Sequence, residues 1–104
     1  MKTLHIYGQE AWHDDVYVIG DIEALKELRD TIDKLLLTKE SQESPTFFCG
    51  DGEGFSVRVM VATEEELDRV IALPYTGEYA KDTREVVWPE LWFAQKKGKE
   101  HEDR

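Results

Sequence analysis

The sequence predicts an α+β fold built on an antiparallel sheet, and three observations predict it. β-Branched and aromatic residues gather in two pairs of short runs. Two other segments place apolar residues at helical steps of three and four. Glycine- and aspartate-rich turns separate the runs. The expected layout is a sheet of two hairpins with two amphipathic helices on one face, in the order ββαββα, followed by an aromatic C-terminal segment.

Thr3-Leu4-His5-Ile6-Tyr7 alternates roughly with period two and reads as the first strand, ended by Gly8. Asp15-Val16-Tyr17-Val18-Ile19 reads as the second, ended by Gly20. Asp21 then suits a helix N-cap, because its carboxylate can accept from the free backbone donors of the first turn. From there Ile22, Leu25, Leu28, Ile32, Leu35 and Leu36 follow helical steps as far as Thr38. This helix is expected to pack Leu25, Leu28, Ile32 and Leu35 against Val57, Val59 and Val61.

Residues 39–45 are polar and are expected to be a loop with local disorder. Thr46-Phe47-Phe48-Cys49 and 55–61 read as the second hairpin around Asp51-Gly52-Glu53-Gly54. Phe55, Val57, Val59 and Val61 would share its inner face. Thr63-Glu64-Glu65-Glu66 is a capping box that opens a short helix, with Leu67, Val70 and Ile71 as its buried stripe and Pro74 as its stop.

A chain of 104 residues fits one small domain, expected over 1–94, with 95–104 a polar, flexible tail. The formal net charge is −10, and the tail contributes +1, so the body is more acidic than the whole. Phosphate backbones need a basic face, so direct nucleic-acid binding is not expected. One cysteine cannot build an intramolecular disulfide framework or a cysteine zinc site, and no apolar run reaches a membrane span. The opening residues lack the apolar stretch of a secretory signal, which makes the expected setting cytoplasmic. Strand edges at Thr3–Tyr7 and Thr46–Cys49 carry little protection against pairing, which favours a homodimer.

Four places could carry chemistry. Trp12-His13-Asp14-Asp15 sets an imidazole beside carboxylates, an arrangement that serves a base, a ligand contact or simply a turn. Gly50-Asp51-Gly52-Glu53-Gly54 lacks the Lys-Ser/Thr of a phosphate loop and reads as a hairpin turn. Cys49, in a strand among apolar neighbours, reads as a buried inert thiol. The stretch from Tyr75 to Phe93 holds Tyr75, Tyr79, Trp88, Trp92 and Phe93 near Thr76 and Arg84, a composition that serves either a core or a binding surface. A ligand site would draw on Trp12, His13, Tyr75, Thr76, Tyr79, Arg84 and Trp88. Their rings would supply stacking area, His13 and Thr76 directional hydrogen bonds, and Arg84 a cationic fork for carboxylate or phosphate, with Arg58 as a second such group. No catalytic set, metal site or cofactor motif is read.

Trp12-His13-Asp14 with Gly20-Asp21, the helix residues Ala24-Leu25, Leu28-Arg29-Asp30 and Ile32-Asp33, the turn Asp51-Gly52-Glu53-Gly54-Phe55 and Pro74-Tyr75-Thr76 together resemble small uncharacterised proteins of bacteria and their phages. The resemblance covers most of the chain. It implies a prokaryotic or phage origin and a stand-alone domain, and attaches no activity. The favoured expectation is a non-enzymatic binding module that captures or sequesters a small, nucleotide-like ligand, as a phage-encoded sponge against a bacterial immune signal does. The alternative is an acidic inhibitor or immunity-type partner of a basic protein such as a nuclease, since negative charge steers such an encounter.

Overall fold

The computed structural model describes residues 2–9, 13–74 and 85–102, the stretch 97–102 by its backbone alone. Over these the chain is mixed helix and strand, an α+β protein with small antiparallel sheets. Two compact units form, Met1–Gly8 with Asp15–Val61, and Gln9–Asp14 with Ala62–Arg104.

The first unit starts from a hairpin. β1 (Leu4–Tyr7) and β2 (Tyr17–Gly20) pair antiparallel, Leu4 opposite Gly20 and Tyr7 opposite Tyr17. Gly20 is required there, because a Cβ on it would lie 2.9 Å from Leu4 Cδ1 and 3.0 Å from the Thr3 carbonyl oxygen. α1 (Ile22–Thr38) follows directly, with Asp21 as its N-cap. Asp21 Oδ1 accepts from the Ala24 N–H at 2.8 Å, and Oδ2 from the Thr3 N–H at 2.9 Å. One carboxylate thus starts the helix and ties it to the strand before it. Those two N–H groups, that of Thr3 foremost, hold the Asp21 carboxyl below its ordinary value. The helix ends at Lys39, whose φ of 59° is left-handed and whose N–H returns to the Leu35 carbonyl at 2.7 Å.

The rest of this unit departs from the expected single hairpin. Residues 39–45 are not a featureless loop: they contain β3 (Gln42–Glu43). β4 (Phe47–Phe48) pairs with β5 (Gly54–Phe55), whereas β6 (Arg58–Val59) pairs with β3. The expected strand 55–61 is therefore broken at Ser56 and Val57. Ser44 is the physical cause. Its N–H donates to the Val57 carbonyl at 2.9 Å, and its buried Oγ accepts from the Val57 N–H at 2.8 Å, which draws the chain away from β4. The turn between β4 and β5 is as expected, with Gly52 at a φ of 91°.

Leu4, Ala24 and Phe47 form the fully buried centre, with Leu28, Phe55 and Val57 packed against it. The buried face of α1 is Ala24, Leu28, Thr31 and Leu35, which corrects the expected stripe. Leu25 and Ile32 remain 40% and 39% exposed, and Val61 is exposed too. Small residues fit the rotation: Ala24 faces Gly20 and lets the helix approach the end of β2 closely. Thr31 tolerates burial because its Oγ1 donates to the Glu27 carbonyl at 2.8 Å.

The strand edges read as open are in fact occupied at one end. Phe48 N–H donates to the Lys2 carbonyl at 2.8 Å, and Thr3 and Phe48 form a parallel bridge. A single parallel bridge thus joins the residue before β1 to β4, beside the separate β1–β2 and β4–β5 pairs.

In the second unit α2 (Glu64–Arg69) opens with the expected capping box. Of its expected buried stripe only Ile71 is buried, while Leu67 and Val70 are exposed. A parallel bridge joins Ile71 to Val87, and α3 (Pro89–Glu102) carries the backbone through much of the segment read as a tail.

Candidate functional site

Of the seven residues expected to converge on a ligand, His13 and Trp88 fall within the described chain. Trp12, Tyr75, Thr76, Tyr79 and Arg84 lie outside the described residues. His13 is exposed in a turn with a left-handed φ of 64°, and Asp14 and Asp15 beside it are exposed. Trp88 is 55% exposed and stands just before α3, its carbonyl accepting from the Trp92 N–H at 3.0 Å. No hydrogen bond or ring contact joins His13 to Trp88 among the described residues. Arg58 belongs to the first unit, where its Nε is 3.5 Å from Glu43 Oε1 in an exposed ion pair. Cys49 is half-buried in the β4–β5 turn.

The aromatic segment divides sharply. Trp88 is exposed, but Trp92, four residues on, is buried at 6% and its Nε1–H donates to Glu66 Oε2 at 2.8 Å. Glu66 Oε1 accepts from the Thr63 N–H at 3.0 Å and has Lys96 Nζ 3.5 Å away. Lys96 Nζ also stands 4.8 Å from the Trp92 ring centre. Donors on both oxygens, the Thr63 N–H first and the indole second, hold the Glu66 carboxyl at about 2. Glu66, Val70, Trp92, Gln95 and Lys96 line a groove of ≈ 560 Å³. Its carboxylate is already fully engaged in holding α3 to α2, so its chemistry is that of a structural clasp. The sequence shows Glu66 as a capping-box residue, and its partner Trp92 lies 26 positions away with no spacing rule to join them.

His5 is a second residue whose role the sequence conceals. Its Nε2 accepts from the Gly50 N–H at 2.9 Å, across 45 positions, and its Nδ1 lies 2.9 Å from Tyr7 Oη. A bare lone pair on Nε2 leaves the ring proton on Nδ1, where it donates to the tyrosine oxygen. The imidazole thus stitches β1 to the β4–β5 turn.

The most unusual surface is the β1–β2 hairpin. Ile6, Tyr7, Val16, Tyr17, Val18 and Ile19 are all exposed. Successive strand residues point to opposite faces, so exposure of Tyr17, Val18 and Ile19 together leaves both faces exposed away from the buried Leu4 end of the hairpin. Charge adds to this picture. The first unit holds ten acidic and six basic side chains, the second thirteen and seven. No group of three or more His, Cys, Asp or Glu comes together as a metal cradle among the described residues, and no described helix is long and apolar enough to cross a membrane. Compared with family models, curated proteins and solved structures, the chain matches none.

Proposed function

We infer that the chain is a non-enzymatic protein-binding domain, an acidic partner of a basic protein. What carries this is the β1–β2 hairpin, whose six exposed apolar and aromatic side chains stand in a chain of net charge −10. Water-exposed Tyr7 and Tyr17 on a paired ladder are of the type enriched at interface centres, and Ile6, Val16, Val18 and Ile19 extend the apolar area around them. Excess negative charge steers a basic partner towards them, with the dependence on ionic strength that follows. Affinity capture from host extract at about 0.15 M salt is expected to yield a protein of high isoelectric point. Tyr17→Ser combined with Ile19→Ser is expected to abolish that capture with the circular dichroism unchanged. Capture that survives those substitutions overturns the assignment.

Sequestration of a small, nucleotide-like ligand is the second reading, and one observation favours it: Trp88 is 55% exposed and not part of the core. Native mass spectrometry of protein purified from its host separates the two, since a retained small molecule supports sequestration and a retained basic protein supports the first reading.

A further inference from the structure

α1 has a second apolar stripe that its own unit does not use. Ile22, Leu25, Ile32 and Leu36 are all exposed, and with Arg29 they follow steps of three and four along the helix. At about 3.6 residues per turn this stripe lies roughly a third of a turn round from the buried face of Ala24, Leu28, Thr31 and Leu35. It has the a/d spacing of a helix–helix seam. Its flank away from the core carries Lys26 and Asp33.

We propose that this stripe is the seam of a two-fold, antiparallel dimer of the chain, α1 against α1, centred on Arg29. Charge selects a second copy as the occupant. A two-fold axis at Arg29 sets each residue level with the one equally far from Arg29 in the other copy. Ile22 then stands level with Leu36, and Leu25 within about 1.5 Å of Ile32 along the axis. The same operation sets Lys26 within about 1.5 Å of the level of Asp33 of the second copy, on the same flank, and it does so twice. Each half of the seam is thus flanked by a pair of opposite charges. A parallel pair would carry Lys26 and Asp33 of the two copies to opposite flanks of the seam, where they form no such pairs. Arg29 sits at the axis with its guanidinium already turned to Asp30, 3.1 Å away, which reduces the repulsion between the two copies. The net charge of −10 does not forbid the contact, because at about 0.15 M salt charges beyond about 8 Å are largely screened.

Sedimentation equilibrium on the full chain at about 0.15 M salt tests this. The wild type is expected to dimerise, and Ile32→Glu to weaken the dimer at least about tenfold with helix content unchanged. Lys26→Asp and Asp33→Lys, each alone, set like charges beside both halves of the seam and are expected to weaken it about tenfold or more. Mixing those two single variants restores opposite charges in both halves, so the mixture is expected to dimerise more tightly than either component alone, and the double variant to dimerise like wild type. A monomeric wild type at the highest soluble concentration overturns the proposal. So does a dimer indifferent to Ile32→Glu, which would use another surface, or a mixture that fails to recover.

Discussion

The two long faces of α1 make an instructive pair. The face turned inward carries Ala24, Leu28, Thr31 and Leu35, and the face turned outward carries Ile22, Leu25, Ile32 and Leu36. The outward face has more hydrocarbon, yet the inward one is buried. Hydrophobic content decides that a helix will bury a face, and fit decides which one. Ala24 can sit beside Gly20 and Leu4 because it has only a methyl group, whereas a side chain as large as Ile32 or Leu25 at that place would hold the helix away from β2.

The largest effect lies beneath the inward face. Phe47 is fully buried against Leu4 and Ala24, so Phe47→Ala is expected to cost about 3–5 kcal/mol and to unfold the first unit of a chain with little stability to spare. Chemical denaturation followed by circular dichroism measures it. Next comes the direct contrast. Leu35→Ala is expected to cost about 2–5 kcal/mol, and Ile32→Ala under about 1 kcal/mol in dilute protein, where the outward face meets water. Equal costs would mean that the two faces are not distinguished by burial.

A smaller test aims at the close approach itself. Gly20→Ala puts a methyl 2.9 Å from Leu4 Cδ1 and 3.0 Å from backbone oxygen, so strand or side chain must shift. A loss of about 1–3 kcal/mol is expected. No loss would show that helix and hairpin are not tightly seated.

Acid sharpens the comparison by probing the second unit, where a charged clasp takes the place of apolar fit. Glu66 has its carboxyl held at about 2, below the ordinary 4.5. Its ionised form is favoured by folding, so its contribution is complete above pH 4.5 and is lost as pH falls towards about 2. Glu66→Gln is expected to destabilise the α2–α3 clasp at neutral pH and to match wild type near pH 2, which Trp92 fluorescence during pH titration reads out. A difference between the two that persists unchanged to pH 2 would remove the carboxylate from this role. The smallest effect concerns His5, where nitrogen-15 NMR is expected to show the Nδ1–H tautomer, with that signal changed in Tyr7→Phe.

Much was decided by local chemistry and was legible without coordinates. The Asp21 cap and the helix to Thr38, the turn at Gly52, and the capping box of Thr63 and Glu66 each depend on residues within four positions of one another. The tertiary structure alone decided which stripe of α1 turns inward, that β6 leaves β4 for β3 under the grip of Ser44, that Trp92 is buried while Trp88 is not, and that His5 reaches Gly50. Those contacts join residues 13 to 45 positions apart in the hydrogen bonds that make them. A sequence records which side chains want burial or a partner. Which candidate receives one depends on steric fit and on polar groups brought near by the rest of the chain, and no local pattern encodes either.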